Sequence, residues 1–284
     1  MVATANEENV PPKVAFLGKI GSFSSQVARK IFPIEVDFIC CNSFRQIFEE
    51  VVSGHAKYGV LPIENTLTGS IHGNYELFLD YPEIYIVGEQ ILRVSQHLAV
   101  FPGTSRETIQ VIFAHPQGFA QSSRFLESMK ETRIMDVGNT EEAARRTLEF
   151  GLGGACITSQ EAVEKYHLTV LEEDIEDNIR NFTRFIVLSK IFNPSRDDDK
   201  VSGVFILKNQ PGALFAVLKI FAENQINIVK LESRPIPGKP WEYLFYADWE
   251  GNIVEERYKN TLQALAEHTL SFRILGSYKN LWKK

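Results

Sequence analysis

The pentad Asn181-Phe182-Thr183-Arg184-Phe185 sets a hydroxyl beside a guanidinium within an apolar, β-prone run. The Thr183 hydroxyl can donate a hydrogen bond or relay a proton, and the Arg184 guanidinium has the planar fork that binds a carboxylate. If the run is a strand, alternation sends Thr183 and Arg184 to opposite faces, so only one of them faces a substrate unless a β-bulge intervenes. Taken alone, the pentad also fits a plain buried strand with a charge at its edge.

A side-chain amide and a carboxylate follow the predicted strand Tyr58–Leu61. The Asn65 amide can both donate and accept hydrogen bonds, but an asparagine at this position fits a helix cap equally well. Glu64 beside it either tunes the acidity of a neighbouring group or is simply solvated. Asn65 is therefore a candidate for contact with a substrate, with a structural role left open.

A second group of amides follows the predicted strand Gln110–Ala114. Pro116 suits the first turn of a helix, and in that helix Gln117 and Gln121 are four residues apart and share one face. His115 fits a general base, and it fits a capping residue at least as well.

Two segments place small or hydroxyl-bearing residues before predicted helices. They are the Gly-rich turn 18–24, which contains Ser22, and the tripeptide Thr68-Gly69-Ser70. Unpaired backbone N–H groups at a helix start attract anions, so both segments are candidate carboxylate sites. Such short glycine patterns are weak evidence on their own.

Composition limits the functions open to the chain. Its 284 residues suffice for two domains, and apolar and charged shares of 44% and 23% are typical of a soluble globular protein. A net charge of -6 with scattered basic residues argues against nucleic acid as the main partner. No apolar run is long enough to span a bilayer, and the polar, acidic first dozen residues are unlike a secretory signal or an Arg-rich transit peptide. Cys40, Cys41 and Cys156 lack the spacing of a zinc site and are interpreted as reduced thiols.

Short β-prone runs alternate with amphipathic helical segments from Lys13 to about Leu188, which predicts an α/β domain with a largely parallel sheet. The polar, charged stretch 191–200 predicts a linker. Beyond it the pattern predicts strand 201–207, helix 212–223, strand 226–231, strand 241–249, helix 255–268 and strand 272–275. That βαββαβ order is the ferredoxin-like arrangement.

Four segments together carry a family resemblance. In this order, Gly59–Thr66, Ala114–Gln117, Asn181–Phe185 and Leu231–Pro235 resemble the prephenate dehydratase family, including its plant-type arogenate dehydratase branch, with a C-terminal regulatory ACT domain. The resemblance implies a catalytic domain over 13–190, built as two lobes like a periplasmic binding protein, with the chain crossing near 89–93 and 171–179. It further implies a linker at 191–200 and an ACT domain over 201–284.

The implied reaction removes carbon dioxide and hydroxide from prephenate, or from arogenate, and leaves an aromatic ring. Because the ring itself receives the electrons, the resemblance implies no metal and no organic cofactor. The protein must hold a dianion, donate hydrogen bonds to the departing hydroxyl and exclude water. By resemblance the catalytic residues are Thr183, Asn65 and Gln121, and the substrate-binding residues are Arg184, Ser70, Gln117, Ser22 and Glu64.

Phenylalanine is the implied effector of the ACT domain. The resemblance assigns it to the segments Gly212-Ala213-Leu214 and Glu232-Ser233-Arg234, where a plain helix start and a β-turn are the structural alternative. Because ACT domains pair, a homodimer or a homotetramer is implied, with no nucleic-acid or membrane partner. The implied location is the cytoplasm, or the plastid stroma if a transit peptide has been removed.

Ala114 departs from the family pattern, which usually has a serine before His-Pro-Gln. The departure is expected to remove one hydroxyl from the site and to reduce or retune activity, since a neutral hydrogen bond is worth about 0.5–1.5 kcal/mol. It also gives weight to a different class of function, a non-catalytic amino-acid sensor or small-anion binder on the same fold. The sequence does not decide between prephenate and arogenate, which differ in a single group.

Overall fold

The computed structural model describes residues 11–32, 36–129, 131–236, 238–239 and 242–281, except for the side chain of Arg257. The predictions for the first ten residues and for Trp241 lie outside the described residues, as do residues 282–284 of the predicted ACT domain. The described elements form two sheets and the helices that cover them. None of the described helices is long and apolar enough to cross a bilayer, and the predicted cellular location stays a prediction.

The first lobe combines the early strands of the chain with one that returns much later. Its strands are β1 (Lys13–Leu17), β2 (Asp37–Cys41), β3 (Tyr58–Asn65), the short β4 (Gly69–Ser70), β5 (Tyr85–Arg93) and β11 (Phe182–Ser189). Its helices are α1 (Phe23–Ile31), α2 (Phe44–Val52) and α3 (His72–Asp80). Helix α2 illustrates how the sequence forms them: Ser43 accepts a backbone hydrogen bond from Gln46 as N-cap, and Ile47, Phe48 and Val51 are buried on one face.

The second lobe holds a separate five-stranded sheet in the order β10-β6-β9-β7-β8. Its strands are β6 (His97–Val100), β7 (Val111–Ala114), β8 (Arg133–Asp136), β9 (Gly154–Thr158) and β10 (Thr169–Glu172). Its helices are α4 (Pro116–Gln121), α5 (Ser123–Glu127), α6 (Thr140–Phe150) and α7 (Gln160–Tyr166), with a 3₁₀ turn at Arg106–Thr108. The chain enters this lobe between Arg93 and His97 and returns between Glu172 and Phe182.

Both sheets are mixed, so the predicted largely parallel sheet is wrong. Strand β1 is parallel to β2 and β3, but β11 lies between β3 and β5 and is antiparallel to both. The physical reason is that the chain leaves the first lobe along β5 and comes back along β11, which makes the two strands run in opposite directions. In the second lobe β7 is parallel to β8 and β9, whereas β6 is antiparallel to β9 and β10.

Strand β3 is longer than the sequence predicts, because it continues beyond Leu61 through Pro62 to Asn65. A proline lacks the N–H that a central strand normally needs. A β-bulge accommodates it, since Phe185 of β11 pairs with Pro62 while the preceding Arg184 pairs with Glu64. The extension brings Glu64 and Asn65 into the sheet, where they alternate between its two faces.

The C-terminal region has the predicted βαββαβ order. Its elements are β12 (Lys200–Ile206), α8 (Ala213–Glu223), β13 (Ile228–Pro235), β14 (Tyr243–Glu250), α9 (Glu256–Glu267) and β15 (Ser271–Tyr278). Its strand order β13-β14-β12-β15 continues directly into β5 of the first lobe, which gives one sheet of ten strands. At this junction Gly276 pairs with Ile86, and a Cβ on Gly276 would lie 2.1 Å from the Ile86 carbonyl oxygen. The close approach therefore requires glycine.

One hydrophobic cluster spans the junction between the first lobe and the C-terminal region. Tyr75 and Phe78 of α3 are buried together with Leu244 and Tyr246 of β14. The rings of Tyr75 and Tyr246 are 4.7 Å apart, and the Tyr246 hydroxyl donates to the Tyr75 carbonyl at 2.9 Å. Helices α8 and α9 cover the opposite face of the C-terminal sheet in a separate cluster. The sheet is thus held by apolar burial on both faces.

Candidate active site

A cavity of about 640 Å³ lies between the two lobes. Its lining comes from β3 and β11 of the first lobe, from the start of α1, and from the starts of α4 and α6 in the second lobe. Among the residues predicted to act on a substrate, Thr183, Asn65, Gln117, Gln121 and Ser22 all line this cleft. The structure therefore brings these five residues together.

Thr183 and Asn65 lie directly opposite each other on β11 and β3, and each is 8% exposed. Asn65 Nδ2 donates to Thr183 Oγ1 at 2.9 Å, while Asn65 Oδ1 accepts from the backbone N–H groups of Leu67 and Thr68. These bonds fix the orientation of the amide. Because Thr183 Oγ1 is the acceptor in this contact, its own hydroxyl proton stays available for donation into the cleft.

Asn181 is the candidate that the sequence-based assignment left out. Its side chain is 1% exposed, and its Oδ1 accepts from Asn65 Nδ2 at 2.7 Å. The Asn181 Nδ2 atom has no hydrogen-bond partner among the described residues. The available signal was its spacing, since Asn181 and Thr183 are two residues apart in a β-prone run and therefore share a face.

Three helices begin at the cleft, and their N-cap residues Ser22, His115 and Asn139 line it. Each cap accepts a hydrogen bond from a backbone N–H two or three residues further on, over 2.8–3.3 Å. For His115 this contact is the capping role, one of the two roles left open by the sequence. Helix N-termini carry partial positive charge and unpaired N–H groups, and Lys19 also lines the cleft, so the lining favours an anion.

Amides form a further part of the wall. Gln96 joins Gln117 and Gln121 in the lining, and its Nε2 donates to Gln121 Oε1 at 3.5 Å. Gln96 is 3% exposed, and its Oε1 has no hydrogen-bond partner among the described residues. Buried acceptors are normally satisfied, so this atom marks a position where a bound molecule can donate.

Arg184, Glu64 and Ser70, which were predicted to bind substrate, do not line the cleft. Alternation explains the difference, because Arg184 and Glu64 pair with each other one residue along from Thr183 and Asn65 and so face the other side of the sheet. Ser70 of β4 pairs with Glu64, donates to Glu232 and accepts from Lys230 Nζ. The substrate-binding assignment of these three residues is therefore corrected to contacts with the C-terminal region.

Arg184 lies in a buried charge cluster at that junction. It donates to Glu89 and to the Tyr278 hydroxyl, each at 2.7 Å, and to Asp248. Lys200 Nζ donates to Glu89 at 2.8 Å. Burial alone would raise the pKa of Asp248, but the charges of Arg184 and Lys200 hold that pKa below its ordinary value. The cluster therefore pairs each buried charge with an opposite one.

The first predicted effector segment begins helix α8. Gly212 has φ of 82°, a left-handed conformation that favours glycine. Ala213 and Leu214 line a pocket of about 150 Å³ beside β12 and β14. This segment therefore offers a helix start next to a small cavity.

The second predicted effector segment lies within β13. Glu232 and Arg234 point toward the first lobe, where Glu232 lies 2.8 Å from His72 Nδ1 and Arg234 donates to Glu76 at 3.1 Å. Ser233 lies between them and is exposed. Within one chain, the two charged side chains of this segment are occupied by contacts with α3.

Ala114 is fully buried in a cluster with Leu98, Ile112 and Ile157, and it does not line the cleft. The expectation that its side chain leaves a hydroxyl missing from the site is therefore wrong. As the last residue of β7, Ala114 faces the core of the second lobe, and the cleft lining begins with the next residue, His115.

Two family models match this chain. Residues 14–192 match the family model described as Prephenate dehydratase, and residues 204–267 match the model described as ACT domain. A bifunctional chorismate mutase/prephenate dehydratase of Aquifex aeolicus (strain VF5) is 36% identical over 267 residues, or 94% of this chain and 73% of that protein. The Arabidopsis thaliana protein named arogenate dehydratase/prephenate dehydratase 2, chloroplastic, is 36% identical over 278 residues, or 94% of this chain and 72% of that protein.

Solved structures are similar over nearly the same extent. The prephenate dehydratase of Arthrobacter aurescens in complex with L-Phe has a TM-score of 0.85 at 28% identity, covering 96% of this chain and 91% of that one. A structure described as a novel type of quorum quenching acylase has a TM-score of 0.84 at 28% identity, covering 94% of this chain and 97% of that one.

Proposed function

The chain belongs to the prephenate dehydratase family and carries a C-terminal ACT domain, and from this premise we propose that it is a carbon–oxygen lyase acting on prephenate or arogenate. The observation that supports the proposal most directly is the Thr183–Asn65 pair, placed in a cleft where helix N-termini converge. A donor for a departing hydroxyl and a site for carboxylates are two of the features that the reaction needs.

The reaction breaks two bonds of the ring. The carbon–carbon bond to the ring carboxylate breaks with release of carbon dioxide, and its electron pair enters the ring. The carbon–oxygen bond to the ring hydroxyl breaks as the ring becomes aromatic, so the group departs as hydroxide, which takes a proton from solvent after its release. Thr183 stabilises the departing oxygen by hydrogen bonding rather than by full proton transfer, because an alcohol is a weak acid.

The other cleft residues hold and orient the substrate. The N-termini at Ser22, His115 and Asn139 bind carboxylate groups, and Gln117 and Gln121 donate amide hydrogen bonds. Asn65 orients the Thr183 hydroxyl, and Asn181 in turn orients Asn65. Prephenate and arogenate share the ring chemistry, so the choice between them depends on the group that contacts the substrate side chain.

The ACT domain makes the activity responsive to phenylalanine. We assign the catalytic domain to 13–190, the linker to 191–200 and the ACT domain to 201–284. Gly212–Leu214 supply a helix start and a small pocket for an amino acid. Glu232 and Arg234 contact His72 and Glu76 of α3. A ligand that binds Glu232 or Arg234 would therefore replace these contacts with α3. Effector binding is thereby linked to the position of the ACT sheet on the first lobe.

A homo-oligomer is part of the proposal. Strand β13 is an edge of the ten-stranded sheet, and Val229 and Leu231 on it are 46% and 39% exposed. Unpaired N–H and C=O groups on an edge strand favour pairing with another strand. Pairing of β13 with a second copy gives a dimer, and two such dimers give a tetramer. Sedimentation equilibrium tests this, and a monomer at all concentrations would contradict it.

The direct test is to incubate the purified protein separately with prephenate and with arogenate. Formation of phenylpyruvate is followed by ultraviolet absorbance, and formation of phenylalanine by chromatography. Product from either substrate, with a rate that changes when phenylalanine is added, is the expected result. A folded protein that binds phenylalanine in a calorimeter but turns over neither substrate would instead be the non-catalytic sensor.

A further inference from the structure

Gln96 lines the cleft on one of the two segments that join the lobes, and both segments fix its backbone. Its N–H donates to Glu176 Oε2 at 2.9 Å, and its carbonyl accepts from the Ile175 N–H at 2.9 Å. The Glu176 side chain is 1% exposed and is itself paired with Arg93 at 2.6 Å. The backbone of Gln96 is therefore held in place before a substrate arrives.

The side-chain amide of Gln96 has one end occupied and one end open. Its Nε2 donates to Gln121 Oε1 at 3.5 Å, whereas its Oε1 has no hydrogen-bond partner among the described residues. The residue is 3% exposed, so little water reaches this oxygen. Leaving a buried acceptor unpaired costs free energy, which a donor on a bound molecule recovers.

Other acceptors in the cleft lining are already occupied. The caps Ser22, His115 and Asn139 each accept from a backbone N–H of their own helix, and Asn65 Oδ1 accepts from two backbone N–H groups. Among the described residues, no aspartate or glutamate lines the cleft. A cationic donor in the cleft therefore has no carboxylate to pair with, and Gln96 Oε1 is a buried acceptor that is open to it.

Gln96 lies at the far end of the cleft from the predicted contact with the leaving hydroxyl. Leu92 of β5 pairs with Thr183, and Gln96 follows Leu92 by four residues, which is at most about 13 Å along an extended chain. In the substrate, the side chain and the hydroxyl are on opposite ring carbons. When the hydroxyl contacts Thr183, the substrate side chain points away from Thr183, and the separation leaves room for the ring between Thr183 and Gln96.

The two possible substrates differ only on that side chain. Both carry two carboxylates, which the helix N-termini of the cleft attract equally. Arogenate has an ammonium group, which donates hydrogen bonds, where prephenate has a keto oxygen, which only accepts them. An amide oxygen attracts the ammonium group and repels the keto oxygen.

We propose that Gln96 determines the choice of substrate: its Oε1 accepts a hydrogen bond from the ammonium group of arogenate, and the chain prefers arogenate to prephenate. The inference rests on the proposed function and names its substrate. It also gives Gln96 a role separate from the Thr183–Asn65 pair, because Gln96 contacts the group that does not react.

The test is the ratio of kcat/KM on arogenate to kcat/KM on prephenate. Gln96→Met keeps the length of the side chain and removes the acceptor, so the ratio should fall about tenfold or more, the value of a hydrogen bond to a charged group. The lost contact with Gln121 affects both substrates and cancels in the ratio. Gln96→Glu places a charged oxygen beside the ammonium group, so the ratio should rise.

Gln90→Met is the matched control. Gln90 is half-buried on the same strand β5, donates to the Ile91 carbonyl at 2.9 Å and does not line the cleft. The control should keep the wild-type ratio. A general loss of stability would lower the amount of active protein equally for both substrates and would leave the ratio unchanged, so the ratio separates recognition from a structural role.

Separate outcomes contradict the inference and the proposed function. A wild type that prefers prephenate, or an unchanged ratio in Gln96→Met, would overturn the inference while turnover itself supports the proposed function. If Gln96→Met does not fold, Gln96→Glu decides, and a ratio at or below the wild-type value would overturn the inference. A folded wild type that turns over neither substrate would overturn the proposed function and the inference with it.

Discussion

Thr183 and Arg184 are neighbours in strand β11, yet their side chains act on opposite faces of the sheet. Thr183 Oγ1 accepts from Asn65 in the cleft, whereas Arg184 donates to Asp248 of the ACT domain. The same alternation holds in β3, where Glu64 beside Asn65 lies 2.9 Å from Lys230 of the ACT domain. Two adjacent residue pairs thus carry both the candidate catalytic contact and the attachment of the ACT domain. A shift of the ACT domain that moves Glu64 or Arg184 therefore also moves the adjacent residue of the catalytic pair.

Replacement of Thr183 tests the donor. Thr183→Val keeps the branched shape and removes the hydroxyl, so we expect kcat to fall by about 10²-fold, the lower end for a positioned acid–base group. The melting temperature should change little, because Asn65 Nδ2 still donates to Asn181. Thr169→Val, in an exposed position of β10, is the matched control and should behave as wild type. Turnover of Thr183→Val near the wild-type rate would show that the hydroxyl has no part in the reaction.

Asn181 should act as a positioning residue. Asn181→Ala removes the acceptor that fixes Asn65, and the loss of a hydrogen bond worth about 0.5–1.5 kcal/mol predicts a fall in kcat of up to about tenfold with KM little changed. Asn181→Asp keeps an acceptor oxygen, so its kcat should lie between those of wild type and Asn181→Ala. Steady-state kinetics decides; equal kcat for the two variants would mean that the Oδ1 contact does not position the pair.

Arg184 should affect stability rather than substrate binding. Arg184→Met leaves Glu89 and Asp248 with fewer partners in a buried cluster, and breaking such a pair costs about 3–5 kcal/mol. Arg45→Met is the control, since Arg45 pairs with Asp80 at 2.6 Å with both side chains about half exposed, a pair worth about 0–1 kcal/mol. Urea unfolding measures both. A variant at Arg184 with a raised KM and unchanged stability would restore the substrate-binding role predicted from the sequence.

The order of the C-terminal elements and the faces shared by nearby residues could be predicted, because they depend on the pattern of a few neighbouring residues. The βαββαβ order follows from strand and helix periods and is confirmed, and the sharing of one helix face by Gln117 and Gln121 follows from their spacing. Strand alternation also predicted that Thr183 and Arg184 would not both face a substrate unless a β-bulge intervened. Glu64 was chosen because it stands beside Asn65, and it contacts the ACT domain instead, since the predicted strand ended at Leu61 whereas a bulge carries it through Pro62. Ser70 was chosen because it precedes a predicted helix, and its pairing with Glu64 could not be seen in the sequence.

Contacts between distant segments left no signal in the sequence. The continuous sheet depends on Gly276 pairing with Ile86, which are far apart in the chain and individually ordinary. The interdomain charge cluster likewise unites Glu89, Arg184, Lys200 and Asp248 from four strands. Such pairings are set by tertiary packing, so a separate ACT domain on a linker was predicted where a shared sheet is found.

Ala114→Ser tests the corrected position of Ala114. The side chain is fully buried among apolar residues, so an added hydroxyl either bonds to nearby backbone or costs about 1–3 kcal/mol as an unsatisfied group. We expect kcat/KM to stay at the wild-type value on both substrates and the melting temperature to fall. Ala216→Ser, in the first turns of α8 on the ACT domain, is a partly exposed control of the same chemistry. A higher kcat/KM for Ala114→Ser would show that the position does contribute to the site.

Acid should weaken the junction between the first lobe and the ACT domain. The pKa of Asp248 in the folded protein lies below its ordinary value, because Arg184 and Lys200 outweigh the effect of burial. A carboxyl with a lowered folded-state pKa contributes stability that is fully present above its unfolded pKa of about 3.9 and is lost as the pH falls through the folded-state pKa. The free energy of unfolding should therefore fall when the pH is lowered below about 4.

Asp248→Asn removes that ionisation. The difference in unfolding free energy between wild type and Asp248→Asn should be largest near pH 7 and should shrink as the pH approaches about 3, because only the wild type loses the contribution of an ionised Asp248. Urea unfolding at a series of pH values measures this difference. Asp80→Asn is the matched control, since Asp80 is about half exposed beside Arg45, and its difference from wild type should be small at every pH. A difference for Asp248→Asn that is the same at all pH values would mean that Asp248 is not an ionised partner of Arg184.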